Sequence, residues 1–319
     1  MRILVTGVSG LLGLNLAFEL SGALGGELRH QVTGVMNMHA LRPQPGEALP
    51  FAVRQMDLLE DGEVERLLDE TQPDWVIHCA ALANLEACEA NPELARQLNA
   101  ELPGRLAQLV CQRGARLLHV STDAVFDGRR GGYTEQDAPA PLGVYAQTKL
   151  EAEFAVLAAD PQAVAARVNL FGWSLQGRRS LGEFFVNNLR AGKQVMGFTD
   201  VIFCPLLVND LAAIFSEMLE MGLSGVYHTV SSECLSKYEF GRRVAAQFGL
   251  DGSLIQPTRV ADSGLKAARA PNLSLKTDKL AGALGHALPA IAPALERFHA
   301  LEQQGYRQRL RLLDSQFPG

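Results

Sequence analysis

Through the first half of the chain, short apolar runs alternate with longer stretches of helical period. Runs at 2–6, 31–36, 51–54, 74–79, 115–121 and 163–168 read as strands, and the intervals 11–21, 61–70, 92–113 and 144–158 carry the apolar spacing of helices. Strand and helix in strict alternation imply parallel pairing with right-handed crossovers. The expected fold class is therefore α/β, a Rossmann-like doubly wound parallel sheet. Ligands of such sheets lie beyond the carboxyl ends of the strands, which here means the neighbourhood of Gly7, Met36, Asp57, Cys79 and Thr122.

After about residue 168 the alternation becomes irregular. Residues 172–180 read as a loop, 181–191 as a helix, 195–204 as extended chain and 209–221 as a helix. A strand at 225–230 and a helix at 237–248 follow, and 257–272 is polar, with Arg259, Lys266 and Arg269. This predicts a dinucleotide-binding domain over 1–168 and, over 169–319, a smaller substrate-binding lobe interleaved with it.

The first strand runs straight into Gly7-Val8-Ser9-Gly10-Leu11-Leu12-Gly13, and a helical pattern follows. Strand, glycine turn and helix form the context of a dinucleotide fingerprint. One glycine makes the turn, one admits a pyrophosphate, and one lets the helix pack on the strand with its N-terminus facing negative charge. A glycine-rich surface turn is the plainer alternative. At the other end of the expected site, Tyr145 and Lys149 stand four apart on a helix and so share a face, with Thr122 closing the strand before them. An ammonium beside a phenol favours the ionised phenol, and a hydroxyl can hold a carbonyl, so the three groups suit proton transfer to an oxygen whose carbon exchanges hydride. A solvated helix pair is the competing explanation.

The spacing G-x-x-G-x-x-G together with Thr122, Tyr145 and Lys149 resembles the extended short-chain dehydrogenase/reductase superfamily. Residues 121–128, 133–137, 140–145 and 149–153 are similar to its dTDP-4-dehydrorhamnose reductase branch, as are 269–272 and Leu275. The likeness covers nearly the whole length and is most specific over 119–153.

The resemblance implies Tyr145 as general acid, Lys149 as the group that lowers its pKa and holds the nicotinamide ribose, and Thr122 as the carbonyl's orienting partner. It implies a dinucleotide cradled by Gly7, Ser9, Gly10, Leu11, Leu12 and Gly13. Asp57 and Leu58 would grip the adenine and Cys79, Ala80 and Ala81 would lie along the ribose, with Cys79 a packing residue. Asn99 would position a water for the lysine. A helix N-cap accounts for Asp57 nearly as well, and a solvated asparagine for Asn99.

After the second strand, where an NAD enzyme usually places a carboxylate, the chain has Asn37 and then His39 and Arg42. Arg42 could pair with a 2′-phosphate or be a solvated loop residue. NADPH is the preferred cofactor, with NAD possible. On the substrate side stand Thr122, Asp123, Ala124, Phe126, Tyr145, Trp173 and Arg269, with Arg178, Arg179, Lys193 and Arg259 as further cations for a diphosphate. Phe126 and Trp173 could flank a sugar ring or belong to the core. Relatives that reduce dTDP-4-dehydrorhamnose usually carry an aromatic residue where Ala124 stands, which opens the sugar's identity. Ala124 also argues against a 4,6-dehydratase, since it cannot donate a proton.

Composition adds exclusions. Apolar residues make up 47% and charged residues 20%, as in an ordinary globular chain, and the net charge of −6 offers nucleic acid no basic patch. The apolar runs are too short to span a membrane, and a strand at the very start predicts no signal peptide. The five cysteines show no paired metal spacing and are expected to be reduced in a cytoplasmic protein; His78 and His119 read as core residues, and no metal is assigned. The expected function is NAD(P)H-dependent reduction of a nucleotide-linked 4-keto-6-deoxysugar, with a homodimer one assembly the resemblance allows. The same branch is similar to the β regulatory subunit of methionine adenosyltransferase, a dinucleotide-binding partner protein. A reductase or epimerase of another carbonyl compound is the third reading.

Overall fold

The computed structural model describes residues 1–26, 30–38, 40–43, 46–262 and 270–314. Six strands of the first half, β1 (Arg2–Thr6), β2 (Gln31–Met36), β3 (Ala52–Gln55), β4 (Trp75–His78), β5 (Arg116–Thr122) and β6 (Val164–Val168), pair in parallel as the alternation requires. After them come β7 (Leu170–Phe171), β8 (Val195–Phe198), β9 (Ile202–Phe203), β10 (Leu206–Leu207), β11 (Gly225–Thr229), β12 (Leu235–Ser236) and β13 (Ile255–Thr258). β11 leaves the second half to pair with β6, giving a seven-stranded sheet of order β11-β6-β5-β4-β1-β2-β3. The order reverses between β1 and β4, so the crevice beyond their carboxyl ends opens at Gly7 and Cys79.

Alternating side chains divide the sheet between two cores. Ile3, Val5, Ile77 and Leu118 face one side with helix α1 (Leu11–Leu20), whereas Leu4, Val76 and Leu117 face the other with α2 (Glu63–Thr71). Beyond them lie α3 (Leu85–Ala90), α4 (Pro92–Arg96), α5 (Leu102–Gln112) and α6 (Val144–Ala159). The helix expected over 92–113 is divided by a π-helical segment at Gln97–Glu101. Pro103 explains the departure, because it has no N–H to return to the Asn99 carbonyl in α-helical register.

The second half adds α7 (Leu181–Arg190), α8 (Val208–Glu220), α9 (Lys237–Gln247), α10 (Asp278–Leu284), α11 (Ile291–Gln303) and α12 (Tyr306–Leu312). α7 begins with a reciprocal capping box between Ser180 and Glu183. Cys204 and Cys234 are joined by a disulfide, which corrects the expectation that every thiol is free; Cys79, Cys88 and Cys111 remain thiols. The two half-cystines lie 30 residues apart, so no short motif announces the pair.

Among the described residues one ion pair is buried on both sides. Glu153 of α6 accepts three hydrogen bonds from the Arg167 guanidinium of β6 (2.7–3.2 Å) and one from Ser121 (2.5 Å). Arg167 also lies 5.0 Å from the Phe126 ring centroid. A buried pair contributes little net stability against an apolar replacement, but a lone buried charge is costly. Glu153→Leu is therefore expected to lower the unfolding free energy by about 3–5 kcal/mol, and the double change Glu153→Leu with Arg167→Met to recover most of it. Urea titration of the three proteins checks this.

Candidate functional site

The glycine turn is built for close approach. Gly7 has φ +70°, and a Cβ on it would lie 2.8 Å from the backbone of Ala80, the residue that follows Cys79 beyond β4. A Cβ on Gly13 would lie 3.0 Å from Val8 Cα and closer still to the Gly7 carbonyl. Gly10 is the N-cap of α1 and offers no capping side chain, so the first N–H groups of the helix, at Leu11, Leu12 and Gly13, face the crevice unclaimed by a cap. Ser9 sits half-buried within the turn. These are the features a pyrophosphate requires, and a cofactor of this kind fits the cradle.

Around the turn, the sequence-predicted residues fall into place unevenly. Half-buried Ala80 donates its N–H to Thr6 (3.2 Å), and Ala81 is exposed beside it. Asn37 and Arg42 are exposed past β2; the Arg42 N–H donates to the Leu313 carbonyl (3.0 Å), and His39 lies outside the described residues. Asp57 Oδ1 accepts from the Leu59 N–H (3.0 Å), closing a local turn, while Leu58 is buried in the core. Burial pushes the Cys79 thiol up to about 12, so it remains neutral and fits the packing role.

Thr122 ends β5 with its side chain accepting from the Ala124 N–H (3.2 Å) and donating to Asp123 (3.2 Å). Its hydroxyl lies near enough to the Tyr145 phenol to lower that group's pKa. Asp123 is buried and accepts from Asn169, just past β6, at 2.6 Å. Burial raises the Asp123 carboxyl to about 6, against the lowering effects of Asn169, Thr122 and the Lys237 charge at the start of α9. Asn169, at a strand's carboxyl end, and Lys237, opening a helix, carry position alone as their sequence signal.

Tyr145 differs from expectation. Burial, followed by the Asp123 carboxylate, pushes its phenol up to about 12; the Thr122 hydroxyl opposes this. Lys149 is not among the groups acting on the phenol; its Nζ lies 3.0 Å from His119 Nε2. The phenol therefore keeps its proton at neutral pH, as a proton donor must.

Asn99 holds structure together. Its side-chain oxygen accepts from the Leu82 N–H (2.8 Å), and its amide donates to the Leu82 carbonyl (3.1 Å) and to Thr148 (3.3 Å). It thus ties the segment after β4 to the helix carrying Tyr145 and Lys149, and its side chain is committed to that clamp rather than to a lysine-bound water.

Two aromatic expectations are corrected. Trp173 is fully buried, stacked on Phe298 at 4.1 Å and donating to that residue's carbonyl, so it belongs to the core and not to a sugar subsite. Phe126 is likewise buried, stacked on Tyr133 at 4.2 Å. Arg269 and Lys266 lie outside the described residues. Arg179 pairs with Gln176, and Arg259 lies 3.8 Å from Asp200. Among the described residues no cluster could hold a metal, and no helix is long and apolar enough to cross a membrane.

The raised Asp123 carboxyl makes a stability prediction. Its folded pKa exceeds the unfolded value of 3.8, so its contribution is present at low pH and lost as pH rises through about 6. Relative to Asp123→Asn, the wild type is expected to lose about 2–3 kcal/mol between about pH 4 and pH 7.5. Urea midpoints of both proteins across that range check the sign.

The family model described as RmlD substrate binding domain matches residues 1–303. The probable low-salt glycan biosynthesis reductase Agl14 of Haloferax volcanii is 33% identical over 305 residues, 94% of this chain and 98% of that one. The dTDP-4-dehydrorhamnose reductase of Mycobacterium tuberculosis is 34% identical over 263 residues (78% and 84%), and the rat methionine adenosyltransferase 2 subunit beta 31% over 298 (88% and 81%). Among solved structures, a Bacillus anthracis dTDP-4-dehydrorhamnose reductase in complex with NADP superposes with TM-score 0.78 at 23% identity, covering 94% of this chain and 97% of that one. Matched over residues 1–303, the chain belongs to the RmlD substrate binding domain family.

Proposed function

We propose that the chain is an NAD(P)H-dependent reductase of a nucleotide-linked 4-keto-6-deoxysugar. The observation that carries this reading is the approach of the Thr122 hydroxyl, at the carboxyl end of β5, to the Tyr145 phenol, with Lys149 one helical turn on. Relatives named as reductases support the chemistry. In this reading residues 1–168 bind the dinucleotide, 169–319 mainly bind the sugar nucleotide, and the protein works in the cytoplasm, as a homodimer.

The bound dinucleotide would supply hydride to the carbonyl carbon. This chain's residues do the rest. Gly7, Ser9, Gly10, Leu11, Leu12 and Gly13 hold the pyrophosphate by backbone, and Asn37 and Arg42 face the adenosine ribose. Asp57, Leu58, Cys79, Ala80 and Ala81 line the remaining track. Thr122 orients the carbonyl oxygen and Tyr145 donates its phenolic proton to that oxygen as it gains charge. Lys149 holds the ribose and stabilises the phenolate left behind. Asp123 and Ala124 border the sugar, and Arg269 is proposed for its diphosphate.

A second reading, a dinucleotide-binding regulatory subunit, is favoured by the similarity to methionine adenosyltransferase 2 subunit beta. A carbonyl substrate other than a sugar would leave the chemistry unchanged. Oxidation of NADPH and NADH, with dTDP-4-keto-6-deoxyglucose supplied alone and with its 3,5-epimerase, separates these. Turnover is expected, and Tyr145→Phe is expected to lower it by about 10²–10⁴-fold while cofactor affinity holds. Dinucleotide binding without turnover would favour the regulatory subunit or another carbonyl substrate.

Arg42→Ala is expected to weaken NADPH much more than NADH, read by fluorescence titration of each; an equal effect would remove Arg42 from a phosphate site.

A further inference from the structure

Thr6, His78 and His119 form one row across the sheet. Parallel register pairs Thr6 with His78 and His78 with His119, so all three side chains project from the same face. Thr6 Oγ1 lies 2.7 Å from His78 Nδ1, and the two imidazoles stack with centroids 5.6 Å apart. Lys149 enters the end of this row from α6, and His119 Nε2, at 3.0 Å, is its one hydrogen-bond partner among the described residues. His78, His119 and Lys149 are all at most 2% exposed. His119 Nδ1 and His78 Nε2 are buried with no hydrogen-bond partner.

We propose that His119 is a positioning residue for Lys149: a neutral imidazole with its proton on Nδ1, whose Nε2 lone pair holds the lysine ammonium in place. This rests on the reading of Lys149 as the ribose-binding partner of Tyr145.

The chemistry of the surroundings leaves His119 in that state. Burial first, then the Lys149 charge and His78, hold His119 well below the usual imidazole range, and His78 is down at about 3. A cationic imidazole beside a buried ammonium is thereby disfavoured, so the ammonium must donate and Nε2 must accept. Burial lowers Lys149 to about 8, opposed by Glu153 and Cys79. Glu153, however, spends its oxygens on Arg167 and Ser121, and Cys79 is a neutral thiol. The groups acting on Lys149 are therefore His78 and Cys79 from the β4 side, His119 from β5, and Glu153 on its own helix. Of these, His119 supplies the direct acceptor. An ammonium has three donors, so one is fixed on His119 and two stay available for ligand hydroxyls.

The arrangement links a tautomer to a charge. When Lys149 releases its proton to solvent, its amine gains a lone pair, and the imidazole proton can move from Nδ1 to Nε2 to donate to it. Nitrogen-15 NMR of the histidine-labelled wild-type protein is expected to show His119 as the Nδ1–H tautomer at neutral pH, changing with an apparent pKa of about 8. An Nε2–H tautomer at neutral pH would overturn the proposal, and this arm needs no variant to fold.

The functional arm uses kcat/KM for the dinucleotide, whose pH limbs report the free protein. Removing the acceptor in His119→Leu destabilises the ammonium, so the alkaline limb is expected to move down by about one pH unit and dinucleotide binding to weaken. His119→Gln, which restores an acceptor oxygen, is expected to bring the limb back toward wild type. An unmoved limb in His119→Leu, beside an inactive Lys149→Met, would sink the role of His119 alone. Turnover retained by Lys149→Met would instead sink the reading of Lys149.

Discussion

Helix α6 must carry three chemically different groups into a dry sheet edge, and the buried Glu153–Arg167 pair is the constraint that lets it. Tyr145, Lys149 and Glu153 fall at successive four-residue steps, so one helical stripe presents all three. The Glu153 carboxylate, bonded to Arg167 of β6 and to Ser121 of β5, fixes the rotation and height of that stripe against both strands. Ser121 is the residue before Thr122. The same anchor therefore sets the distance between the strand's terminal hydroxyl and the helix's phenol. A looser apolar contact would not specify that geometry to a fraction of an ångström.

Above the anchor the site divides into two electrostatic halves. On one side Asp123 and Tyr145 are both pushed up by burial, and the Asp123 carboxylate further raises the phenol. On the other, Lys149, His119 and His78 are all pushed down by the same physical cause. Acids pushed toward their protonated forms thus face bases pushed toward their neutral forms. The protein alone keeps Tyr145 protonated, a proton source ready before the phenolate is needed. Lys149 lies on His119; in the proposed reading it stabilises that phenolate.

Much of this was legible in the sequence. The six strands of the first half and the glycine turn follow from periodicity and from residues whose backbone demands are local: Gly7 and Gly13 are glycine because no Cβ fits there. Thr122, Tyr145 and Lys149 could be named because spacing puts them at a strand end and on one helix face. What escaped depends on partners far away in the chain. Trp173 and Phe126 read equally well as sugar platforms or core, and only packing against Phe298 and Tyr133 decides. Lys149 meets a histidine of β5 that lies 30 residues earlier, a contact no local pattern marks. Asn99 stood out in the sequence for a lysine-bound water, whereas its side chain serves Leu82 and Thr148; Pro103, four residues on, was the overlooked sign that the helix must change register there.

The second half of the chain is bound up with the dinucleotide cradle from below. Asn15, on the buried face of α1, donates to the Trp173 carbonyl (2.9 Å) and accepts from the Tyr306 hydroxyl (3.0 Å), while Glu19 one turn later pairs with Arg297 of α11 at 2.7 Å. The helix that aims its N-terminus at the glycine turn is thus held by α11, α12 and the segment after β7. The loop bearing Arg42 is held the same way, through the Leu313 carbonyl and a bridge between Leu41 and Asp314. Lys237, from the same half, acts on Asp123 at the reacting end. A chain cut near residue 168 would keep the fingerprint residues but lose what orients α1, the Arg42 loop and β11. The two halves are separable in sequence pattern, whereas the polar contacts that position the site run between them.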